Sequence, residues 1–173
     1  MNKKEILEFI NSRKSTKKYK SDMPKKEDID AIISAGLHAA SGMNRQSPVI
    51  IAITDKAVRD RLMKKNASIL GTGNDPFYGA PVILCVVARR EGTTFVNDGS
   101  LCLGNMMLAA HALGLGSCWI HRAKQTFEDP EWQAFLREIG VEGDFEGIGH
   151  LALGYADHTP EEKPRKENRV FYV

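Results

Sequence analysis

The chain has little cysteine: Cys85, Cys102 and Cys118 are three in 173 residues. An odd, widely spaced set is neither a disulfide framework nor a zinc pattern, and each cysteine sits among apolar neighbours as a small buried hydrophobe does. A long apolar run is also missing. Val82–Ala88 is the best candidate and has strand length, far short of the roughly 20 residues that a membrane-spanning helix needs. The start, Met1-Asn2-Lys3-Lys4-Glu5-Ile6, runs into an amphipathic helix rather than an apolar signal core. Charge of one sign is scarce as well, since a formal net charge of +2 supplies no global field for nucleic acid or an anionic membrane. Absent too are the Gly-x-Ser-x-Gly elbow, His-Glu-x-x-His, Cys-x-x-Cys and the Gly-x-x-x-x-Gly-Lys loop, so hydrolysis lacks the metal or triad spacing that would point to it. His38 and His111 read as helical packing or surface residues, His158 as part of a polar turn, and His121 and His150 as strand flanks. The expectation is a cytoplasmic protein with no metal, no nucleic-acid partner and no membrane partner.

What is present suits one globular domain over 1–173, with an arm over about 160–173. Hydrophobic content of 42% and charged content of 27% are ordinary for such a domain. Ile6, Leu7, Phe9 and Ile10 mark a first helix; Ile29, Ile32, Ile33 and Leu37 mark a second that begins near Pro24. Val49–Ile53, Val82–Ala88, Gly116–Ile120 and Ile148–Tyr155 read as strands, and 56–65 and 130–139 as helices. A long apolar helix runs from Asp98, read as its cap, to Gly114, read as its stop. Because it is apolar nearly all round, it is expected to touch a second subunit. Val170-Phe171-Tyr172-Val173 is strongly β-prone for a terminus and is expected to dock, with a partner subunit as a candidate surface. The fold class is α+β.

Two basic clusters lie at opposite ends, Arg13-Lys14-Ser15-Thr16-Lys17-Lys18-Tyr19 and Lys163-Pro164-Arg165-Lys166. In extended chain Arg13, Ser15 and Lys17 project to one side, as do Lys163 and Arg165. Such a set suits a small dianion such as a phosphate monoester, although either cluster alone also reads as solvated surface charge. Between them, Ala39–Pro48 offers small residues at Ala40, Ser41 and Gly42 for close backbone approach by a flat ligand, with Asn44 and Gln46 as donors and acceptors. Gly114-Leu115-Gly116-Ser117 fails as a dinucleotide loop, since it follows a helix and precedes a strand. It serves instead as a helix stop before a strand whose far end presents backbone groups.

The ordered set resembles the nitroreductase family of FMN-dependent oxidoreductases. Arg13–Tyr19 is similar to the family's opening Arg-(Arg/Lys)-Ser-x-Arg-x-(Phe/Tyr), and Ala40–Gln46 to its Pro-Ser-(Ser/Gly)-x-Asn-x-Gln loop. Gly79-Ala80-Pro81, Asp98, and Gly114–Trp119 resemble its middle section, and Lys163–Lys166 its closing Lys-x-Arg. The resemblance implies an α/β sandwich with a central mixed or antiparallel sheet flanked by helices, intertwined as a homodimer with FMN at the subunit interface. Arg13, Lys14, Ser15, Lys17, Lys163 and Arg165 would hold the phosphate and ribityl end. Ala40, Ser41, Gly42 and Asn44 would approach the flavin from the other subunit, and Trp119, Ile120, His121 and Arg122 would line the ring's edge, largely through backbone groups. Asn74, Phe77 and Tyr78 are candidate substrate-pocket residues. The implied activity is ping-pong: NAD(P)H delivers a hydride to FMN, and the reduced flavin passes electrons to a nitroaromatic, a quinone or a similar small acceptor. The flavin would carry the redox chemistry, so no side chain is assigned a catalytic role. The alternative is an FMN-binding sensor or carrier without efficient turnover. Lys17 stands where the family more often has Arg, and His121-Arg122 where it commonly has glycines.

Overall fold

Alternation of period two in β2 (Val82–Arg89) sends Val82, Leu84, Val86 and Ala88 to one face of a sheet and Ile83, Cys85 and Val87 to the other. These seven residues have no exposed surface, because both faces are covered. A computed structural model describes residues 2–173. Around β2 lie β1 (Pro48–Ile53), β3 (Gly116–Ile120) and β4 (Phe145–Gly154), in the antiparallel order β1-β2-β4-β3. One face packs on α2 (Lys26–Leu37) and α4 (Phe95–Ala112), through Ile29, Ile32, Leu103 and Met106. The other packs on α3 (Lys56–Leu70), α5 (Ala123–Glu128) and α6 (Pro130–Glu138), through Leu62, Phe127, Trp132 and Leu136. The short α1 (Lys3–Ser12) buries no residue in the protomer; its Phe9 ring stacks on His111 at 4.8 Å, and its capping box pairs Asn2 with Glu5. Among the described residues, no helix is long and apolar enough to cross a membrane.

The α+β class and the antiparallel sheet agree with the sequence reading; three local expectations are corrected, and one helix is added. Helix α4 begins at Phe95, so Asp98 lies inside its first turn and Thr94 holds the cap position. Helix α3 runs on to Leu70 and stops at Gly71, whose φ of 73° supplies the left-handed turn. Strand β4 starts at Phe145, which places His150 within it rather than at its flank. Helix α5 has too short an apolar pattern to be seen from sequence, and it lies so close to β4 that a Cβ at Gly147 would overlap the Ala123 carbonyl.

His150 has no exposed surface and sits between the Phe77 and Phe127 rings, with Nδ1 3.2 Å from Cys85 Sγ and Nε2 unpartnered. Burial, reinforced by the Arg122 charge, pushes its pKa down to about 3. The folded state thus keeps His150 neutral where the unfolded chain takes up a proton below its usual pKa of 6.5. Stability from this group is complete above that value and drains away as pH falls toward 3, at no more than about 1.4 kcal/mol per pH unit. Urea midpoints from pH 7 to 4 should fall more steeply for the wild-type chain than for His150→Phe; equal slopes would remove His150 as the cause.

Candidate functional site

The N-terminal basic segment is laid along the open edge of β3. Thr16 N–H donates to the Ser117 carbonyl at 3.0 Å, with Ser15 and Ser117 forming a parallel bridge. Buried Thr16 fills the space that a side chain at Gly116 would need. Tyr19 pins the segment to the sheet, its hydroxyl reaching the Thr16 carbonyl at 3.0 Å and the Ala152 carbonyl at 3.2 Å. After β4 the chain returns beside it: Lys20 N–H donates to the Tyr155 carbonyl at 2.9 Å, and Lys18 pairs with Asp157 at 2.8 Å. The two ends of the sequence therefore meet. They enclose a cleft of ≈ 790 Å³ lined by Arg13, Lys14, Ser15, Lys17, Lys163 and Arg165, with Tyr78, Cys118 and Trp119 as walls.

This cleft is cationic and incompletely satisfied. Arg13 Nη1 is buried without a hydrogen-bond partner, although buried guanidinium nitrogens are normally paired. Glu162 approaches Lys14 at 3.6 Å on the exposed side. Burial pushes the Cys118 thiol up, while the Ser15 hydrogen bond and the charges of Lys17 and Arg13 act the other way, so the thiol stays protonated at neutral pH.

Tyr78 and Trp119 also line a second recess of ≈ 370 Å³, shared with Asn74, Ile120, His121 and Arg122, so the two concavities adjoin. Ile120, which borders this recess, is buried. Asn66, fully buried on α3, carries no sequence sign of a site role, yet its Nδ2 donates to the His121 carbonyl at 3.0 Å and its Oδ1 accepts from Arg122 Nε at 3.0 Å. It fixes a turn in which Arg122 takes a φ of 75°. Buried Arg59 forms an ion pair with half-buried Asp75; Asp75 also accepts the Phe77 and Gly79 N–H groups, and Arg59 Nε donates to the Ala80 carbonyl at 3.1 Å. Phe77 is a correction to the pocket expectation. It has no exposed surface and packs edge-on against His150, because the turn that exposes Tyr78 sends its neighbour into the core.

Ala40 and Ser41 line a separate hollow of ≈ 150 Å³ with Gly36, Gln46 and Asp98, and within one chain they share no concavity with the basic clusters. Gly42 and Asn44 continue this loop as a 3₁₀ turn. Met43, Asn44 and Gln46 have φ near 52–53°, a left-handed strain for non-glycine residues that the surroundings must hold. Asp98 holds it: its carboxylate accepts the Gly42 N–H at 2.9 Å, the Ser47 hydroxyl at 3.1 Å and the Thr94 hydroxyl at 3.3 Å. Thr94 in turn packs so closely that a Cβ at Gly42 would collide with it. An acid at the start of a helix reads as a cap, which hid this role in the sequence.

A cationic cleft on the edge of an antiparallel sheet, walled by Tyr78 and Trp119, suits a phosphate-bearing ligand with an aromatic portion. The chain belongs to the nitroreductase family, whose model matches residues 10–71 and 65–155. A protein of Archaeoglobus fulgidus, provisionally named NADH dehydrogenase/NAD(P)H nitroreductase, is 28% identical over 156 residues, 87% of this chain and 85% of that protein. The NADPH-flavin oxidoreductase of Vibrio harveyi is 24% identical over 176 residues, 92% of this chain and 69% of its own. A Bacteroides fragilis nitroreductase solved with bound FMN shares the fold at a TM-score of 0.89, with 27% identity and 100% of both chains covered.

Proposed function

We propose that the protein is an FMN-dependent NAD(P)H oxidoreductase that works as a homodimer. The observation that carries this reading is the convergence of both basic clusters around the unpartnered Arg13 Nη1. The donor set fits FMN. Arg13, Ser15, Lys17, Lys163 and Arg165, with Lys14 beside them, offer guanidinium, ammonium and hydroxyl donors to a phosphate and a polyol. Trp119, Ile120, His121 and Arg122 border the adjoining recess where the ring edge belongs. Bound FMN supplies acceptance of a hydride from NAD(P)H and delivery of electrons to a second substrate in alternate half-reactions. The chain's own residues bind and orient. The cations neutralise the phosphate, Tyr78 and Trp119 line both concavities and join them, and Asn66 holds the His121 carbonyl and the Arg122 side chain in place.

The dimer reading rests on apolar surface left open in one chain. Helix α4 exposes Leu101, α1 exposes Ile6, Leu7 and Ile10, and Val170–Val173 lie outside the core. A second copy would cover these faces, and its Ala40, Ser41, Gly42 and Asn44 would complete the flavin site that one chain leaves open. The acceptor is a nitroaromatic, a quinone or a similar small oxidant. Steady-state oxidation of NADH and NADPH by the flavin-loaded protein, with and without added menadione, tests the reading. Acceptor-dependent turnover supports it. A yellow protein with no turnover on either donor would make the chain a flavin carrier or sensor instead.

A further inference from the structure

Arg122 stands apart from the other cations near the site. A residue at φ 75° is under steric strain unless it is glycine, and the chain places its bulkiest cation there. Buried Asn66 turns both ends of its amide to this turn, with Oδ1 accepting from Arg122 Nε and Nδ2 donating to the His121 carbonyl, both at 3.0 Å. Holding Nε fixes the guanidinium plane and leaves its two terminal nitrogens as a fork. Among the described residues, those nitrogens donate to no protein group and no carboxylate pairs with them. The nearby carboxylate of Asp75 is already taken by Arg59 and by two backbone N–H groups, so it does not neutralise the recess. Exposed His121 adds a second donor on the same rim.

We infer that Arg122, positioned by Asn66, recognises an anionic group on the electron acceptor, so that the preferred acceptors are aromatic oxidants bearing a carboxylate or phosphate. This rests on the reading of the adjoining cleft as a flavin site. A planar guanidinium with one edge free matches such groups through two parallel N–H···O bonds, which an ammonium cannot reproduce. The recess is the right place for it, because Tyr78 and Trp119 join it to the cationic cleft. An acceptor seated over the ring would reach Arg122 with a substituent rather than with its reducible group.

The test compares 4-nitrobenzoate with 4-nitrobenzamide, which are similar in shape and differ in charge, at saturating NADH and per mole of bound FMN. The wild-type protein should favour the benzoate in kcat/KM by about tenfold or more, a preference that added salt reduces. Arg122→Gln should bring the ratio close to one, and Arg122→Lys should leave it in between. The ratio cancels any general loss of flavin or fold. A wild-type ratio near one, or one that Arg122→Gln does not change, overturns the inference. So does an Arg122→Gln variant whose KM rises for NADPH but not NADH while the ratio persists, since the fork would then serve the donor's phosphate. A protein that binds no FMN fails the flavin reading first, and visible absorbance before the assay separates that failure from this one.

Discussion

Replacing Arg13 with alanine should weaken FMN binding about tenfold or more, and the protein should leave purification with most of its yellow colour gone. Arg13 carries a buried, unpartnered guanidinium nitrogen at the meeting point of two chain segments. A charge-assisted hydrogen bond from such a group to a phosphate contributes about 1.5–3 kcal/mol, which corresponds to a factor of roughly 10–150 in Kd. Arg165→Ala, from the other end of the chain, should act in the same direction. The double variant should lose less than the product of the two effects, because both side chains serve one anion. Lys166→Ala removes the same charge from the neighbouring residue, which does not line the cleft, and should retain wild-type affinity. Flavin fluorescence titration measures all four proteins. Equal losses in Arg13→Ala and Lys166→Ala would mean that the cleft responds only to total charge.

Gly104→Leu should dissociate the protein into monomers that hold no flavin. On α4, a Cβ at Gly104 meets no atom of its own chain within 4 Å, and Leu101, three residues earlier, is 51% exposed. A side chain at this position therefore starts in open space within the protomer, and replacing glycine improves helix propensity by about 1 kcal/mol. Against a second helix it is not tolerated, since a small residue lets two backbones approach and a branched side chain holds them apart. Analytical ultracentrifugation paired with flavin absorbance checks the outcome. A dimeric, yellow Gly104→Leu protein would move the interface away from α4. A folded, colourless monomer is the expected result, because Ala40, Ser41, Gly42 and Asn44 share no concavity with the basic clusters of their own chain.

These predictions draw on features of unequal visibility in the sequence. Strand β3 is read residue for residue as Gly116–Ile120, because a helix stop precedes it and apolar side chains fill it. The meeting of Arg13 with Arg165 follows from the chemistry of their neighbours, although only the fold shows that β3 provides the edge between them. Strand β4 starts three residues earlier than its apolar run suggests, since Gly147 is required by the close approach of α5 rather than by a turn. Asp98 and Asn66 act on backbone groups far along the chain. Polar residues on helices give no sequence sign of which distant amide or carbonyl they face. Phe77 and Tyr78 are adjacent aromatics in one loop, and only the turn that separates them decides which one reaches the recess.

The absorption spectrum of the purified protein between about 300 and 550 nm, with mass spectrometry of the acid-released ligand, tests the central claim most directly. Flavin bands and the mass of FMN, at one per chain, are the predicted result. A colourless protein that takes up no added FMN would contradict the account and return both basic clusters to the role of solvated surface charge.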